Sequence, residues 1–267
     1  MMVLAAPLGI GVTKFYTDRR VTVNANVIAE VIFGPMSTPL QKAAAWSVHV
    51  YTALGLVCGF GALLATMRAD YRQAFFWLVA ATAIDASDGV LARAARVKEH
   101  LPAFDGARLD DIVDYLTYVI APVFLLYSAG SLPAGWGAGI SAVVLLSSAY
   151  GFAAADAKSD DYFFTGFPSY WNIVAVYLFA AGLPQPVNAA ILLVLSLLVF
   201  VRIGYVYPSR TPVLRGLTTV FGLVWAVMVV AIIWMMPEVR PALLIVSLFF
   251  PIYYTVLSLV LHRRRRI

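Results

Sequence analysis

Apolar runs long enough to cross a lipid bilayer follow one another along the chain from about residue 44 onward. A run of roughly 17–25 apolar residues crosses a bilayer as a helix, because a helix satisfies its own backbone hydrogen bonds. The sequence contains eight such runs, approximately at Ala44–Met67, Tyr71–Arg93, Asp110–Ser128, Trp136–Ala155, Ser169–Gly182, Val187–Tyr205, Gly216–Met236 and Pro241–Leu261. Clusters of proline and glycine separate several of them. The pattern predicts an all-α fold, a polytopic membrane bundle with about eight transmembrane helices.

The composition supports this prediction. Hydrophobic residues make up 62% of the 267 residues, charged residues make up 12%, and the mean hydropathy is +0.85. A soluble domain usually carries about 25% charged residues. The single cysteine, Cys58, excludes a disulfide within this chain. With only three histidines, the chain is also a poor match for a multi-histidine zinc site.

Lysine and arginine residues are distributed unevenly over the predicted loops. If the segment at 85–114 faces the cytoplasm, 16 of the 19 basic residues lie on the cytoplasmic side, and only Arg68, Arg72 and Arg240 lie outside. The positive-inside rule then places both termini in the cytoplasm and predicts a multi-pass protein of the inner membrane. The same rule accounts for the net charge of +5, so we expect no nucleic-acid partner.

Residues 1–42 differ from the rest of the chain in their mixed polarity. Their first apolar stretch has no basic residues ahead of it, so a cleaved signal peptide is not expected. The following segment is weakly amphipathic, and it fits either a helix on the membrane surface or an extension without defined structure. We therefore divide the chain into an N-terminal cytoplasmic or interfacial extension at 1–42 and a membrane domain at 43–267.

Acidic residues concentrate at 85–114, which contains seven of the 14 in the chain. Asp85 and Asp88 are three residues apart and Asp110 and Asp114 are four apart, so each pair shares one helix face. Carboxylates at the edge of a bilayer are costly to keep, and they usually mark a functional site. Four oxygen donors at two helix ends suit a hard divalent cation such as Mg²⁺ or Mn²⁺. The stretch therefore predicts an inward-facing metal site.

This stretch also resembles a family signature. Its fixed positions read Asp85-x2-Asp88-Gly89-x2-Ala92-Arg93-x12-Gly106-x3-Asp110-x3-Asp114. In residue type and order they resemble the signature of the CDP-alcohol phosphatidyltransferases, although the spacer between arginine and the second glycine is longer. The longer spacer resembles the bacterial branch of that family that uses choline. So do the stretches WSVHVYTALG, VKEHLP, LDDIVDYLTYV and DDYFFTGFP.

The resemblance implies a reaction and roles for the signature residues. The enzyme would transfer a phosphatidyl group from CDP-diacylglycerol, a membrane lipid, to choline, forming phosphatidylcholine and CMP, and it would be a homodimer. Asp85, Asp88, Asp110 and Asp114 would bind Mn²⁺ or Mg²⁺, and Asp114 would be the catalytic general base. The donor would contact Asp85, Asp88, Gly89, Ala92, Arg93 and Gly106. As alternatives, Gly89 and Ala92 would serve helix packing, and Arg93 would be a cytoplasmic anchor.

The acceptor site is expected among aromatic residues, because the faces of aromatic rings bind a quaternary ammonium. We expect Tyr118, Tyr162, Phe163 and Trp171 to bind choline, with Phe164 and Tyr170 as further candidates. The alternative for each is an interfacial aromatic belt. His49 is expected to be a hydrogen-bonded packing residue rather than a catalyst. Asp105 and Asp111 lie outside the signature, and we expect them to be solvated or to support the metal ligands.

Other functions remain open at this point. A sibling enzyme would use serine, glycerol 3-phosphate or inositol phosphate as acceptor. An intramembrane prenyltransferase is suggested by the aspartate spacing of Asp110-Asp111-x2-Asp114, although no second aspartate-rich motif follows it. A cation-coupled transporter would place its acidic residues near the bilayer midplane rather than at helix ends.

Overall fold

The computed structural model describes residues 13–14, 21–22, 37–156, 163–207, 211 and 213–265. Most of the predicted N-terminal extension at 1–42 therefore lies outside the described residues. Within it, Thr13–Lys14 (β1) and Val21–Thr22 (β2) pair as a short antiparallel ladder.

The described part of the chain is mostly helical, which confirms the predicted predominance of helix. Its α-helices, numbered α1 to α11 in chain order, are Pro39–Met67, Tyr71–Ala94, Val97–His100, Gly106–Asp114, Ala121–Ser128, Gly137–Ala153, Trp171–Ala181, Gln185–Leu198, Arg215–Met235, Pro241–Ser247 and Phe249–Arg265. A π-helical turn at Tyr115–Ile120 joins α4 to α5 without a break. The sequence stretch after Asp105 thus forms one continuous helical run that carries two of the signature aspartates.

Four of the described helical runs are long and apolar enough to cross a membrane: Pro39–Met67, Tyr71–Ala94, Arg215–Met235 and Pro241–Arg264. The helices α6, α7 and α8 are apolar but shorter. The protein is therefore a helical membrane protein with four candidate spans in the described chain.

A second antiparallel ladder departs from the all-α prediction. Phe163–Thr165 (β3) pairs with Gly204–Val206 (β4), with Phe164 opposite Tyr205. The predicted span Val187–Tyr205 is consequently too long, because α8 ends at Leu198 and the chain turns into β4. Apolar composition alone does not distinguish the end of a helix from a short strand, and here the apolar run continues across both.

Close packing of α1 against the helical run after Asp105 holds the predicted signature elements together. A Cβ added at Gly55 would overlap Cγ1 of Val113, and one at Gly59 would lie 2.6 Å from Cδ2 of Leu116. Glycine lets the two backbones approach, as small residues commonly do between membrane helices. The helix α1 also packs along α2, which ends at the acidic stretch.

Candidate active site

Three of the signature aspartates converge. Asp85 and Asp88 lie toward the C-terminal end of α2, and Asp110 lies in α4. One carboxylate oxygen from each residue lies within 4.8 Å of the other two. Opposite oxygen ligands of an octahedral Mg²⁺ are about 4.2 Å apart, given metal–oxygen distances of about 2.1 Å. With a small inward movement of the side chains, this donor set fits a small divalent cation.

Hydroxyl groups from neighbouring helices hold two of these carboxylates. The Thr52 hydroxyl on α1 donates a hydrogen bond of 2.7 Å to Oδ2 of Asp88, and both residues are buried. The Tyr118 phenol donates a hydrogen bond of 2.8 Å to Oδ2 of Asp85. Hydrogen bonds to an ionised carboxylate are stronger than those between neutral groups. They therefore restrict how the two side chains are oriented.

The π-helical turn positions Tyr118. It begins directly after Asp114, and a single π-helical turn within an α-helix often marks a functional site. The Tyr115 phenol donates a hydrogen bond of 2.8 Å to the Leu145 carbonyl, which ties the turn to α6. From this turn, Tyr118 reaches across to Asp85 on α2.

Asp114 lies beside this cluster rather than in it. It is not among the three converging carboxylates, but with Asp85 and Asp110 it lines an adjoining cavity of about 140 Å³. Because Asp85, Asp110 and Asp114 line one cavity, the role of Asp114 as a further metal ligand stays a prediction. Its position on the cavity wall is compatible with a general base, and that role stays a prediction.

Aromatic side chains form much of the cavity lining. They are Tyr118, Phe152, Phe164, Phe167, Tyr170 and Tyr207. The ring centres of Phe164 and Tyr207 are 4.7 Å apart, and those of Phe164 and Tyr170 are 6.3 Å apart at an interplanar angle of 84°. The ring of Tyr170 in turn lies 6.1 Å from that of Tyr118. A continuous series of rings therefore extends from the Asp85 carboxylate to the end of β4.

The β3–β4 ladder supports this aromatic lining, and α11 supports the ladder. The Val206 amide donates to the Ser258 hydroxyl at 3.0 Å, and the Gly204 amide donates to Nδ1 of His262 at 3.1 Å. The Tyr254 phenol donates to the Val206 carbonyl at 3.0 Å. Burial raises the pKa of the Tyr205 phenol on β4, so it stays neutral at ordinary pH.

Comparison with known proteins identifies the family. The chain is 47% identical to phosphatidylcholine synthase of Legionella pneumophila over 178 residues, which are 66% of this chain and 69% of the relative. It is 39% identical to phosphatidylcholine synthase of Pseudomonas aeruginosa over 207 residues, 78% of this chain and 87% of the relative. The chain belongs to the phosphatidylcholine synthase family. Phosphatidylcholine synthase of Rhizobium meliloti is 37% identical over 197 residues, 73% of this chain and 81% of the relative.

No general family model matches the chain. The three relatives nevertheless confirm the family resemblance that the signature residues indicate. They favour the choline-using branch over the prenyltransferase and transporter alternatives.

The residues predicted to contact the donor have mixed surroundings. Arg93 is exposed at the end of α2, and a Cβ added at Gly89 would lie 3.4 Å from its guanidinium. Ala92 packs against the small cluster of Ala45, Val48 and Val97, as the helix-packing alternative predicts.

At Gly106, the first residue of α4, an added Cβ would lie 2.6 Å from the His49 ring. His49 is buried with its ring centre 4.4 Å from that of Phe104, in agreement with packing, but its Nε2 is buried without the hydrogen bond that the sequence predicts. Packing against His49 is therefore sufficient to require glycine at position 106.

The predicted choline residues divide into three groups. Tyr118 lines the cavity. Phe163 instead packs with Val206 and Leu261, and Trp171 is 1% exposed with its indole Nε1 donating to the Ser148 hydroxyl at 2.7 Å. Neither lines the cavity, because Phe163 is on the other face of β3 from Phe164 and Trp171 is in the helical core. Tyr162 lies outside the described residues.

Several cavity residues were missed by the sequence analysis. Tyr207 follows β4, and only the pairing of β4 with β3 brings it to Phe164. Asp111, which is expected to be solvated or to support the metal ligands, lines the cavity, and Asp105 caps α4 by accepting from the Arg108 amide at 3.1 Å. The sequence did carry one signal for Asp111, because residues three apart on one helix share a face and Asp111 is three residues before Asp114.

Proposed function

We propose that this member of the phosphatidylcholine synthase family transfers a phosphatidyl group from CDP-diacylglycerol to choline, yielding phosphatidylcholine and CMP. The observation that carries the proposal is the convergence of Asp85, Asp88 and Asp110 beside an aromatic cavity that Asp114 also lines. The names of the relatives support the choice of reaction.

Each carboxylate has a role in this proposal. Asp85, Asp88 and Asp110 bind Mn²⁺ or Mg²⁺, and Asp114 lies where it can contact the same region from the cavity side. A divalent cation held by these carboxylates would supply positive charge to the donor pyrophosphate and to the departing CMP. Asp114 takes the proton from the choline hydroxyl as its oxygen attacks the β-phosphorus. The new phosphorus–oxygen bond forms as the bond to CMP breaks, and CMP leaves with the electron pair.

The donor lies over the C-terminal end of α2 in this arrangement. Arg93 contacts phosphate oxygens of CDP-diacylglycerol, because an exposed guanidinium at this depth suits bidentate phosphate binding. Gly89, Ala92 and Gly106 keep the adjoining surface shallow, in addition to the packing contacts of Ala92 and Gly106. The lipid tails of the donor remain in the bilayer.

We further propose the membrane arrangement. The four candidate spans, the continuous helical run from α4 to α5, and α6, α7 and α8 together make eight crossings, with the site and both termini on the cytoplasmic side of the inner membrane. The distribution of basic residues supports this orientation. Residues 43–267 form the membrane domain and 1–42 an extension. A homodimer is implied by the family alone.

Metal removal tests the proposal. Purified protein is supplied with CDP-diacylglycerol and choline, and CMP release is measured before and after treatment with a chelator. Release should stop on chelation and return with added Mn²⁺ or Mg²⁺, because the three carboxylates would otherwise repel the pyrophosphate. Unchanged CMP release in the chelated protein would refute a divalent-metal site at these residues.

A further inference from the structure

We infer that Phe164, Tyr170 and Tyr207, together with the Asp111 carboxylate, form the pocket that holds the trimethylammonium group of choline. This inference rests on the proposed function and specifies the acceptor half of the same site. From the sequence, Phe164 and Tyr170 are only further candidates for choline binding, and neither Tyr207 nor Asp111 is expected to bind choline.

The arrangement of the rings is the first argument. Phe164 and Tyr170 are nearly perpendicular, and Tyr207 lies beside Phe164 with ring centres 4.7 Å apart. All three line the cavity next to the metal-binding carboxylates. A corner of aromatic rings presents more than one ring surface to a rounded, weakly hydrated cation, which is how proteins commonly bind quaternary ammonium groups.

The size of the cavity is the second argument. Its volume of about 140 Å³ is small beside the roughly 300–1,000 Å³ of pockets that hold drug-sized ligands. It therefore suits a small acceptor such as choline better than the nucleotide or the lipid tails of the donor. With the donor on the side of Arg93, as proposed above, this cavity is left for choline.

The position of Asp111 is the third argument. Asp111 and Asp114 are three residues apart on α4, so they share a helix face, and both line the cavity. Choline has a hydroxyl at one end and a cation at the other. With the hydroxyl at Asp114, the Asp111 carboxylate is a suitable counter-charge for the ammonium group. A phosphorylated acceptor would instead be repelled by this second carboxylate.

The β3–β4 ladder explains why these rings are held in place. Side chains alternate along a strand, so Phe163 packs toward Val206 and Leu261 while Phe164 faces the cavity. Beyond β4, the Tyr207 amide donates to the Thr211 hydroxyl at 3.0 Å, which restrains the backbone of Tyr207. The pocket is thus largely formed before choline binds.

The test compares choline with its neutral carbon analogue, 3,3-dimethyl-1-butanol, in the CMP-release assay. We expect Tyr207→Leu to raise the KM for choline about tenfold, equivalent to about 1.4 kcal/mol. The KM for the neutral analogue and for CDP-diacylglycerol should change little. Tyr207→Phe retains the ring and should behave nearly as wild type. Tyr150→Leu is the matched control, because Tyr150 is 53% exposed and packs on Phe200 away from the cavity.

Asp111→Asn tests the carboxylate in the same assay. It should also raise the choline KM selectively, whereas Asp105→Asn, which preserves the cap of α4, should not. An equal loss toward choline and the neutral analogue in both Tyr207→Leu and Asp111→Asn would overturn the inference. So would unchanged kinetics in both. If wild-type protein releases no CMP with choline, the proposed function itself fails, so the two failures are distinguishable.

Discussion

Replacement of Thr52 by valine tests how the site is held together. Valine has nearly the shape of threonine but lacks the hydroxyl that donates to Oδ2 of Asp88 at 2.7 Å. Both residues are only 7% exposed, so water has little access to replace the lost donor. A hydrogen bond to a charged group contributes about 1.5–3 kcal/mol. Because about 1.4 kcal/mol corresponds to a factor of ten, the loss amounts to roughly 10–100-fold.

We expect this loss to appear as a lower affinity for the metal, because groups that hydrogen-bond to metal ligands orient those ligands. The Mn²⁺ concentration for half-maximal CMP release should therefore rise by about 10-fold or more in Thr52→Val. Thr66→Val is the matched control, because Thr66 is buried on the same helix but its hydroxyl donates only to the Ala62 carbonyl. If Thr52→Val required no more Mn²⁺ than wild type, the proposed link between Asp88 orientation and metal binding would be refuted. An equal shift in Thr66→Val would instead indicate a general effect of helix distortion.

Three further substitutions test other parts of the account. Asp114→Asn should reduce turnover at least about 100-fold, as expected for loss of a general base, while CDP-diacylglycerol still binds in a direct assay. Normal turnover in this variant would refute the role of Asp114 as general base. Arg93→Ala should raise the KM for CDP-diacylglycerol several-fold, whereas Arg96→Ala in the same exposed region should not, and equal effects would favour the anchor alternative. Gly59→Ala should destabilise the protein by about 1–3 kcal/mol in unfolding experiments, because the new Cβ would lie 2.6 Å from a leucine methyl group. Gly139→Ala, where an added Cβ meets nothing within 4 Å, should be harmless, and equal stability of both variants would contradict the packing described.

The helices near the site were predictable because their signals are local. An apolar run follows Asp70, and α2 begins at Tyr71 as predicted. The spacing of Asp85, Asp88 and Asp110 likewise predicted carboxylates on helix faces, and the structure brings these three together. Local spacing could not show which three of the four signature aspartates meet, because that depends on how α2 and α4 each pack against α1.

The acceptor side depends on contacts between distant parts of the chain. The strands β3 and β4 are three residues each and about 40 positions apart, so no periodic pattern announces them. Their register decides that Phe164 rather than Phe163 faces the cavity, and a shift of one residue would exchange the two. Tyr207 was missed for the same reason. Aromatic composition alone also could not distinguish Trp171 in the core from a ring in the site.

The central claim is that this site couples CDP-diacylglycerol to choline. The most direct measurement is CMP release by the purified wild-type protein with CDP-diacylglycerol and Mn²⁺, with choline, serine, glycerol 3-phosphate and inositol phosphate offered separately. The account predicts CMP release with choline alone, accompanied by phosphatidylcholine. Release with one of the other three acceptors, and none with choline, would contradict it.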